Sequence, residues 1–451
     1  MPGLPDIKHL RNGVGTLRIY WKRNIYQSLN SKAYILLKKN EKLESTERQL
    51  AYLETDYWEE AREVARQKYE KEINEEACRE KIKKCSCAVC GAVMKSRGFE
   101  KKLFVSQLGD IRYSRRYYVC PNGHGGFATI DRNLGLYKQN SLGIQQWINF
   151  ASAKDSFEEA AETIKVFSGI NLVSKSAQEV SEHFGELIDK KQKEETKRIF
   201  NSQTRSKEPK GPDRMYIEVD GAHVPKREKE KWSECRVGVI FETPPEENRR
   251  PENVQYVAGI EHIDDFGERL FAQTYLRGCS TAKEVIFLGD GARVNWSLAE
   301  MHFPNAVHIV DFYHAIEHIY NARLLKWDEE NKDGKTWAEE QKKRLKTGEW
   351  ENFIKGFHVL PIKTENQREN KRKAINYFLN NKSRMKYHEY RSRGIYIGSG
   401  MAESGCKQVV KKRMRITGAR WCDYGARAMI QIRCAYLNGE FRKLPILQEI
   451  A

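Results

Sequence analysis

Three acidic residues stand where their surroundings call for a reason. Asp220 closes the apolar run MYIEVD, and Asp290 follows the apolar run EVIFLG just before Gly291. Glu403 falls one turn into a helix that IYIGSGMAESG predicts to begin near Ser399, with Ser399 as its N-cap. A carboxylate in an apolar run is costly without a partner or a metal, and ligand-binding groups gather at the strand ends of open sheets. If the two strands are neighbours, the three carboxylates converge. An all-oxygen donor set of this kind suits Mg2+ or Mn2+. Two such ions can activate a water or a 3′-hydroxyl and stabilise the leaving oxygen of a phosphoryl transfer, which is nuclease or strand-transfer chemistry. A single Asp at a strand end is more often a turn residue, so the weight lies on the triad taken in its order of elements. Lys407 and Lys411 follow Glu403 at four and eight positions, on one helix face, where they can hold phosphates; the alternative is ordinary salt-bridge pairing along a solvated helix. Asp311-Phe312-Tyr313-His314 marks another strand end, and its His314 alone reads equally as a cap or a packed residue.

The cysteines offer a second chemistry. Cys78, Cys85, Cys87, Cys90 and Cys120 are bunched and the rest scattered, unlike a disulfide framework. Cys87 and Cys90 form a CxxC knuckle followed by Gly91, and Cys120-Pro121-Asn122-Gly123-His124 supplies a second Cys and a His. Three thiolates and an imidazole satisfy tetrahedral Zn2+, with Cys85 an alternative to His124. A redox CxxC lacks its βαβ context here, and two unrelated buried cysteines are the remaining reading. Between the knuckles, Arg112, Arg115 and Arg116 interleave with Tyr113, Tyr117 and Tyr118, which suits either DNA backbone contact or a solvated strand face.

The elements that must position these groups follow from periodicity. Residues 28 to 84 predict one or two charged amphipathic helices, from Ala33, Leu36 and Leu37 and then Leu50, Leu53, Trp58 and Ala61. KLFVSQLGDIRYSRRYYVC predicts a hairpin that returns the two knuckles to one place. Residues 141 to 189 predict two helices joined at Ser168-Gly169-Ile170-Asn171, the second beginning near Ser176 with Glu179 completing a capping box. This is a helix-turn-helix pattern or a plain helical hairpin. Residues 190 to 213 look like a linker. Beyond it the order is βββαβαβ, then a charged helical stretch to Arg393 carrying Trp327, Trp337 and Trp350. Lys and Arg outnumber Asp and Glu by 79 to 62, a formal charge of +17, which favours a polyanionic partner such as nucleic acid. No apolar run approaches the ~20 residues that span a bilayer, and no apolar stretch behind a basic start marks a secreted chain. The expectation is a multidomain cytoplasmic protein without a membrane role.

The runs CAVCGAVMKSRG, YYVCPNGHGG, VDGAHVP, RGCSTAKEVIFLGDGA, HIVDFYHAIEHI, IGSGMAESGCKQVV and RITGARWCDYGARAM resemble, in order, those of the ISKra family of insertion-sequence transposases, itself similar to the Mutator-like DDE transposases. The resemblance runs from about Cys87 to Arg433. It implies an RNase H-like catalytic domain, α/β in class, interrupted by an all-helical insertion. The family's acids fall on Asp220, Asp290 and Glu403, and its acid-x-x-His motif on Asp311 and His314, with a part in aligning substrate. Where the family has CxxC in the second knuckle, this chain has Gly123 and then His124, which leaves the fourth zinc ligand open.

The expected layout is an N-terminal helical arm (1–84), a zinc-binding β module (85–136), a helical DNA-binding segment (137–205), the first part of the catalytic domain (206–314), the insertion (315–393) and the second part (394–451). The expected activity is Mg2+-dependent cleavage of transposon ends followed by strand transfer into target DNA, in a bacterial, nucleoid-associated protein working as a homodimer or higher oligomer. The alternatives are a zinc-containing DNA-binding regulator with a silent catalytic domain and a structure-specific nuclease without strand transfer. The resemblance further implies an aromatic from the insertion stacking on a displaced base. Trp337, expected to be exposed, is the candidate for that role, against the alternative that it packs the insertion. Arg115, Arg116, Lys407 and Lys411 are the other expected DNA contacts.

Overall fold

Apolar residues fill MYIEV on both faces, and the strand they form is central. In the computed structural model, which describes residues 46–79, 85–201, 207–228, 231–242, 251–361, 363–398 and 400–442, β4 (Arg214–Pro225) is buried on both sides from Met215 to Val219. It lies third of five strands in the order β6-β5-β4-β7-β8. β5 (Trp232–Glu242) and β6 (Glu252–Gly259) run antiparallel on one side of it, whereas β7 (Glu284–Gly289) and β8 (Val307–Val310) run parallel on the other. Parallel neighbours need crossovers, supplied by α6 (Ile263–Tyr275) and α7 (Arg293–His302). Along the chain these elements run β4, β5, β6, α6, β7, α7, β8.

The sheet is covered on both faces. A Cβ on Gly238 would meet Leu270 of α6 at 2.7 Å, whereas one on Gly405 would meet Val239 at 2.7 Å and Val237 at 3.2 Å. Because successive strand residues face opposite ways, α6 and the helix bearing Gly405 lie on opposite faces. That helix, α13 (Gly400–Gly405), continues through a π-turn over Cys406–Lys411 and ends with Lys412–Met414. Beside it, α14 (Asp423–Leu437) crosses α5 (Ser174–Phe200) closely, since a Cβ on Gly185 would come within 2.2 Å of the Ala428 carbonyl.

α5 is joined to α4 (Phe157–Ser168) through Gly169 at φ +67, the turn that the sequence predicts. The capping box, however, sits at Ser156 and Glu159, and α5 starts after Val173 with no side-chain cap. Ser176 thus lies inside the helix. α5 also extends to Phe200, through much of the expected linker, because Thr196 and Ile199 are buried. With its face from Ala177 to Ile188 buried as well, α5 packs as part of the compact unit that runs from Gln145 onward.

Between β8 and α13 stands an all-helical insertion: α8 (Phe312–Arg323), α9 (Lys332–Thr347), α10 (Trp350–His358), α11 (Glu365–Asn380) and α12 (Tyr387–Ser392). Phe353, Phe357 and Phe378 are fully buried at its centre. Trp337 is half-buried there, its ring 5.8 Å from Trp327 and 5.4 Å from Phe357. It is a packing residue of the insertion and not the exposed aromatic expected from the turn before it.

The other compact unit comprises the residues up to Ile144. α1 (Thr46–Arg79) packs on a sheet of β1 (Lys95–Ser106), β2 (Gly109–Val119) and the short β3 (Gly126–Phe127). Its polar face does what a further strand would do. Arg66 donates to the Asp110 carbonyl, Glu70 accepts the Arg112 amide, and Asn74 holds the Arg112 carbonyl and the Ser114 amide. Four helical residues rise about 6 Å and two strand residues about 6.8 Å, so these side chains keep pace with alternate positions of β2. The expected apolar positions Ala33, Leu36 and Leu37 lie outside the described residues, as does Ser399. No helix among the described residues is long and apolar enough to cross a membrane.

Candidate active site and metal centre

The register of the sheet gathers the acids. β4 pairs with β7 as Glu218 opposite Leu288, so two residues further Asp220 comes opposite Asp290. β7 pairs with β8 as Gly289 opposite Val310, and the Asp311 amide continues the ladder by donating to the Gly289 carbonyl at 2.8 Å. Asp220, inside β4, thus lies in a row with Asp290 and Asp311, which stand just past the ends of β7 and β8, neighbouring strands being about 4.8 Å apart; β4 runs on to Pro225, so Asp220 is not the strand end that the apolar run suggests. In-register residues share a face, and this one carries α13. Its placement is set by Glu218, fully buried, whose Oε2 accepts the Ala402 amide at 2.7 Å. Burial pushes the Glu218 carboxyl well above the usual range, and the neighbouring Asp311 and Asp220 add to it. One turn beyond Glu403, the Cys406 thiol is raised, chiefly by burial and then by the neighbouring Asp220. Glu403 itself is exposed and makes no hydrogen bond or ion pair among the described residues.

Each acid is held differently. Asp290 Oδ1 accepts the Ala292 amide and the Asn295 side chain, both at 2.9 Å, leaving Oδ2 open. Asp311, fully buried, caps α8 through the Tyr313 and His314 amides and accepts from His314 Nδ1 at 2.6 Å. That bond lifts His314 to about 9, so its imidazole is a cation at neutral pH beside Asp290. The carboxylates are spread more widely than a single ion's ligands: among the described residues the acids form no group of three with ligand atoms within 4.8 Å of one another.

The cysteines and His124 do form such a group, and could hold a metal ion. Ligand atoms of Cys87, Cys90, Cys120 and His124 all lie within 4.8 Å of one another. Cys90 and Cys120 sulfurs are 3.6 Å apart, and His124 Nδ1 is 3.6 Å from Cys120 and 3.9 Å from Cys87. Around a tetrahedral ion with bonds of about 2.3 Å, sulfurs sit about 3.8 Å apart, so the spacing fits. The hairpin β1–β2 returns the second knuckle to the first, and Gly91, at φ +70, makes the tight turn after Cys90. The Ala92 amide draws the Cys90 thiol down to about 6 against the opposing effect of burial, with His124 and Asn122 helping, which favours the thiolate that binds metal. Cys85 is not in the group; it packs against it.

The expected DNA contacts divide. Lys407 and Lys411 are exposed and form no ion pair among the described residues. Arg115 is bound to Asp131 at 2.6 Å and lies over the Tyr117 ring, and Arg116 lies over Phe99. Both arginines are engaged in holding the hairpin. Sequence reasoning passed over Glu218, Asn295 and Tyr377. Tyr377, on α11, donates to the Asp290 carbonyl at 3.0 Å and stacks on His318 at 3.7 Å. Its ring fills the space where a Cβ on Gly291 would stand, at 2.6 Å. Glu218 alone left a signal, as an acid within an apolar strand.

Residues 92–446 match the family described as "Uncharacterised protein family (UPF0236)". The UPF0236 protein in the vanSb 3′ region of Streptococcus gallolyticus is 22% identical over 345 residues, 74% of this chain and 72% of that protein. The matched region takes in Asp220, Asp290, Asp311 and Glu403, and with them Cys120 and His124, but begins after Cys87 and Cys90. This chain belongs to the UPF0236 family.

Proposed function

We propose that the protein is a DNA transposase of the DDE type, whose RNase H-like domain cuts transposon ends and joins them to target DNA. The observation that carries this reading is the row of Asp220, within β4, and Asp290 and Asp311, just past the ends of β7 and β8, on the sheet face that carries the helix of Glu403. The order of motif runs shared with ISKra transposases supports it. Among the described residues Oδ2 of Asp290 and the carboxylate of Glu403 have no hydrogen-bond partner, and the spread of the acids suits two ions about 3.5–4 Å apart better than one. Bound among Asp220, Asp290 and Glu403, Mg2+ or Mn2+ would supply the Lewis acidity that activates the attacking oxygen and stabilises the leaving one.

The chain's own residues prepare that event. Asn295 and the Ala292 amide fix the Asp290 carboxylate, and Glu218 fixes the helix of Glu403 over Asp220. The His314 imidazolium, held by Asp311, faces the site as a hydrogen-bond donor for a phosphate oxygen. Lys407 and Lys411 hold neighbouring phosphates. In the other unit, Zn2+ in the Cys87, Cys90, Cys120 and His124 cluster would fix the fold of the β hairpin.

The test is incubation with DNA carrying the ends of the mobile element and a target plasmid in Mg2+. Cleaved ends and joined plasmid are expected, both lost in Asp290→Ala with DNA binding retained. Cleavage without joining would make the protein a nuclease. Binding without either would make it a regulator.

A further inference from the structure

Two elements leave the carboxylates side by side. β4 carries the chain from Asp220 to Pro225, five residues or about 17 Å at the strand rise. The helix of Glu403 runs through its π-turn to Met414, and Arg415 follows it. There the two elements meet. Arg415 Nε donates to the His223 carbonyl at 2.7 Å, and its guanidinium stands 5.4 Å from the centre of the Trp232 ring. Trp232 is the cross-strand partner of Pro225 and is 51% exposed.

The charge of this region is unbalanced. Lys407, Lys411 and Lys412, along the same helix, are exposed and form no ion pair among the described residues. The nearby acids are taken: Asp423 by Lys226 at 2.9 Å and Glu234 by Arg236 at 3.0 Å. A cationic track thus leads from the carboxylates to an exposed aromatic ring with a guanidinium against it. That combination recognises a nucleic-acid strand whose bases are unstacked, since phosphates follow the cations and a base stacks on the ring and the planar guanidinium.

We propose that Trp232 and Arg415 form a stacking platform for an unpaired nucleotide of the DNA strand that crosses the carboxylate site. A span of about 17 Å along β4 places that nucleotide about five positions from the phosphate at the carboxylate site at the stacked rise of about 3.4 Å, and fewer where the strand is extended. The proposal rests on the DNA-processing reading above and adds to it a preference for DNA unpaired on one side of the reacting phosphate.

The test uses the full chain with duplexes that are blunt or carry an eight-nucleotide single-stranded tail of either polarity, with 2-aminopurine at the fifth tail position. Tighter binding of one tailed duplex, with 2-aminopurine quenched on binding, is expected for the wild type. Trp232→Ala should lose about 5- to 150-fold in affinity for that duplex, the range for one stacked base, while blunt-duplex affinity and thermal unfolding stay unchanged. Trp232→Phe should keep most of the preference, and Arg415→Ala should lose part of it. Equal binding of blunt and tailed duplexes by the wild type, or an unchanged preference in both Trp232→Ala and Arg415→Ala, overturns the platform while leaving the catalytic reading intact. Failure of the wild type to bind any of these duplexes overturns the catalytic reading, and the platform with it.

Discussion

Asp290 and Asp311 stand side by side in the row, yet their surroundings give them different work. Asp290 spends one oxygen on local donors and keeps the other open; Asp311 is wholly buried, spent on a helix cap and on His314. The His314 imidazole is raised to about 9, first by that hydrogen bond, so it is charged at neutral pH. Its folded pKa exceeds the unfolded value of about 6.5. The stability it contributes is therefore fully present below about 6.5 and lost as pH rises through about 9. Nitrogen-15 NMR of the histidines should find one titrating near 9 that moves toward or below its ordinary value in Asp311→Asn. An unmoved titration would separate His314 from Asp311. Asp220, Asp290 and Glu403 were legible in the sequence because each breaks an apolar run or follows a turn. The engagement of Arg115 with Asp131 was not, since it depends on a residue sixteen positions away that only folding brings near.

Among the elements, the insertion meets the carboxylate row at two places, through Tyr313 and His314 on Asp311 and through Tyr377. Tyr377 reaches from α11 to the carbonyl of Asp290 and fills the space above Gly291, which at φ +94 carries no side chain to block it. Tyr377→Phe keeps the ring and removes one hydrogen bond, worth about 1 kcal/mol. It should leave thermal unfolding within about 2–4 °C of wild type and raise the Mg2+ concentration needed for half-maximal cleavage. An unchanged metal dependence would make Tyr377 a packing residue only. The helix of Glu403 was legible from the turn IYIGSG that precedes it, but its π-turn was not: hydrogen-bond slippage of one residue leaves no mark on composition. The Gln408 carbonyl in that turn is instead met by Arg433, from α14. The capping box expected at Ser176 and Glu179 does not form because α5 already begins at Ser174, whereas Ser156 and Glu159 form one at the start of α4.

For the whole molecule, the sequence indicated a β-rich metal-cluster segment ahead of a mixed α/β sheet because hydrophobic period and turn residues change abruptly near Cys85 and Asp213. It gave no sign that α5 belongs with the sheet, which required knowing that Gly185 meets Ala428. Two compact units, with a Cys and His cluster that could hold a metal ion in the first, imply separable stabilities. A structural metal contributes much of the folding free energy of a small module. Cys87→Ser should lower or abolish one calorimetric transition, release bound zinc, and leave the transition of the residues beyond Ile144 in place. A single unaltered transition with no zinc in freshly purified protein would remove the metal from the account. For the carboxylates, the decisive measurement is a crystal grown with Mn2+ and a DNA end. Anomalous density should mark two ions about 3.5–4 Å apart among Asp220, Asp290 and Glu403, and vanish in Asp290→Ala; density elsewhere, or none with DNA bound, would contradict it.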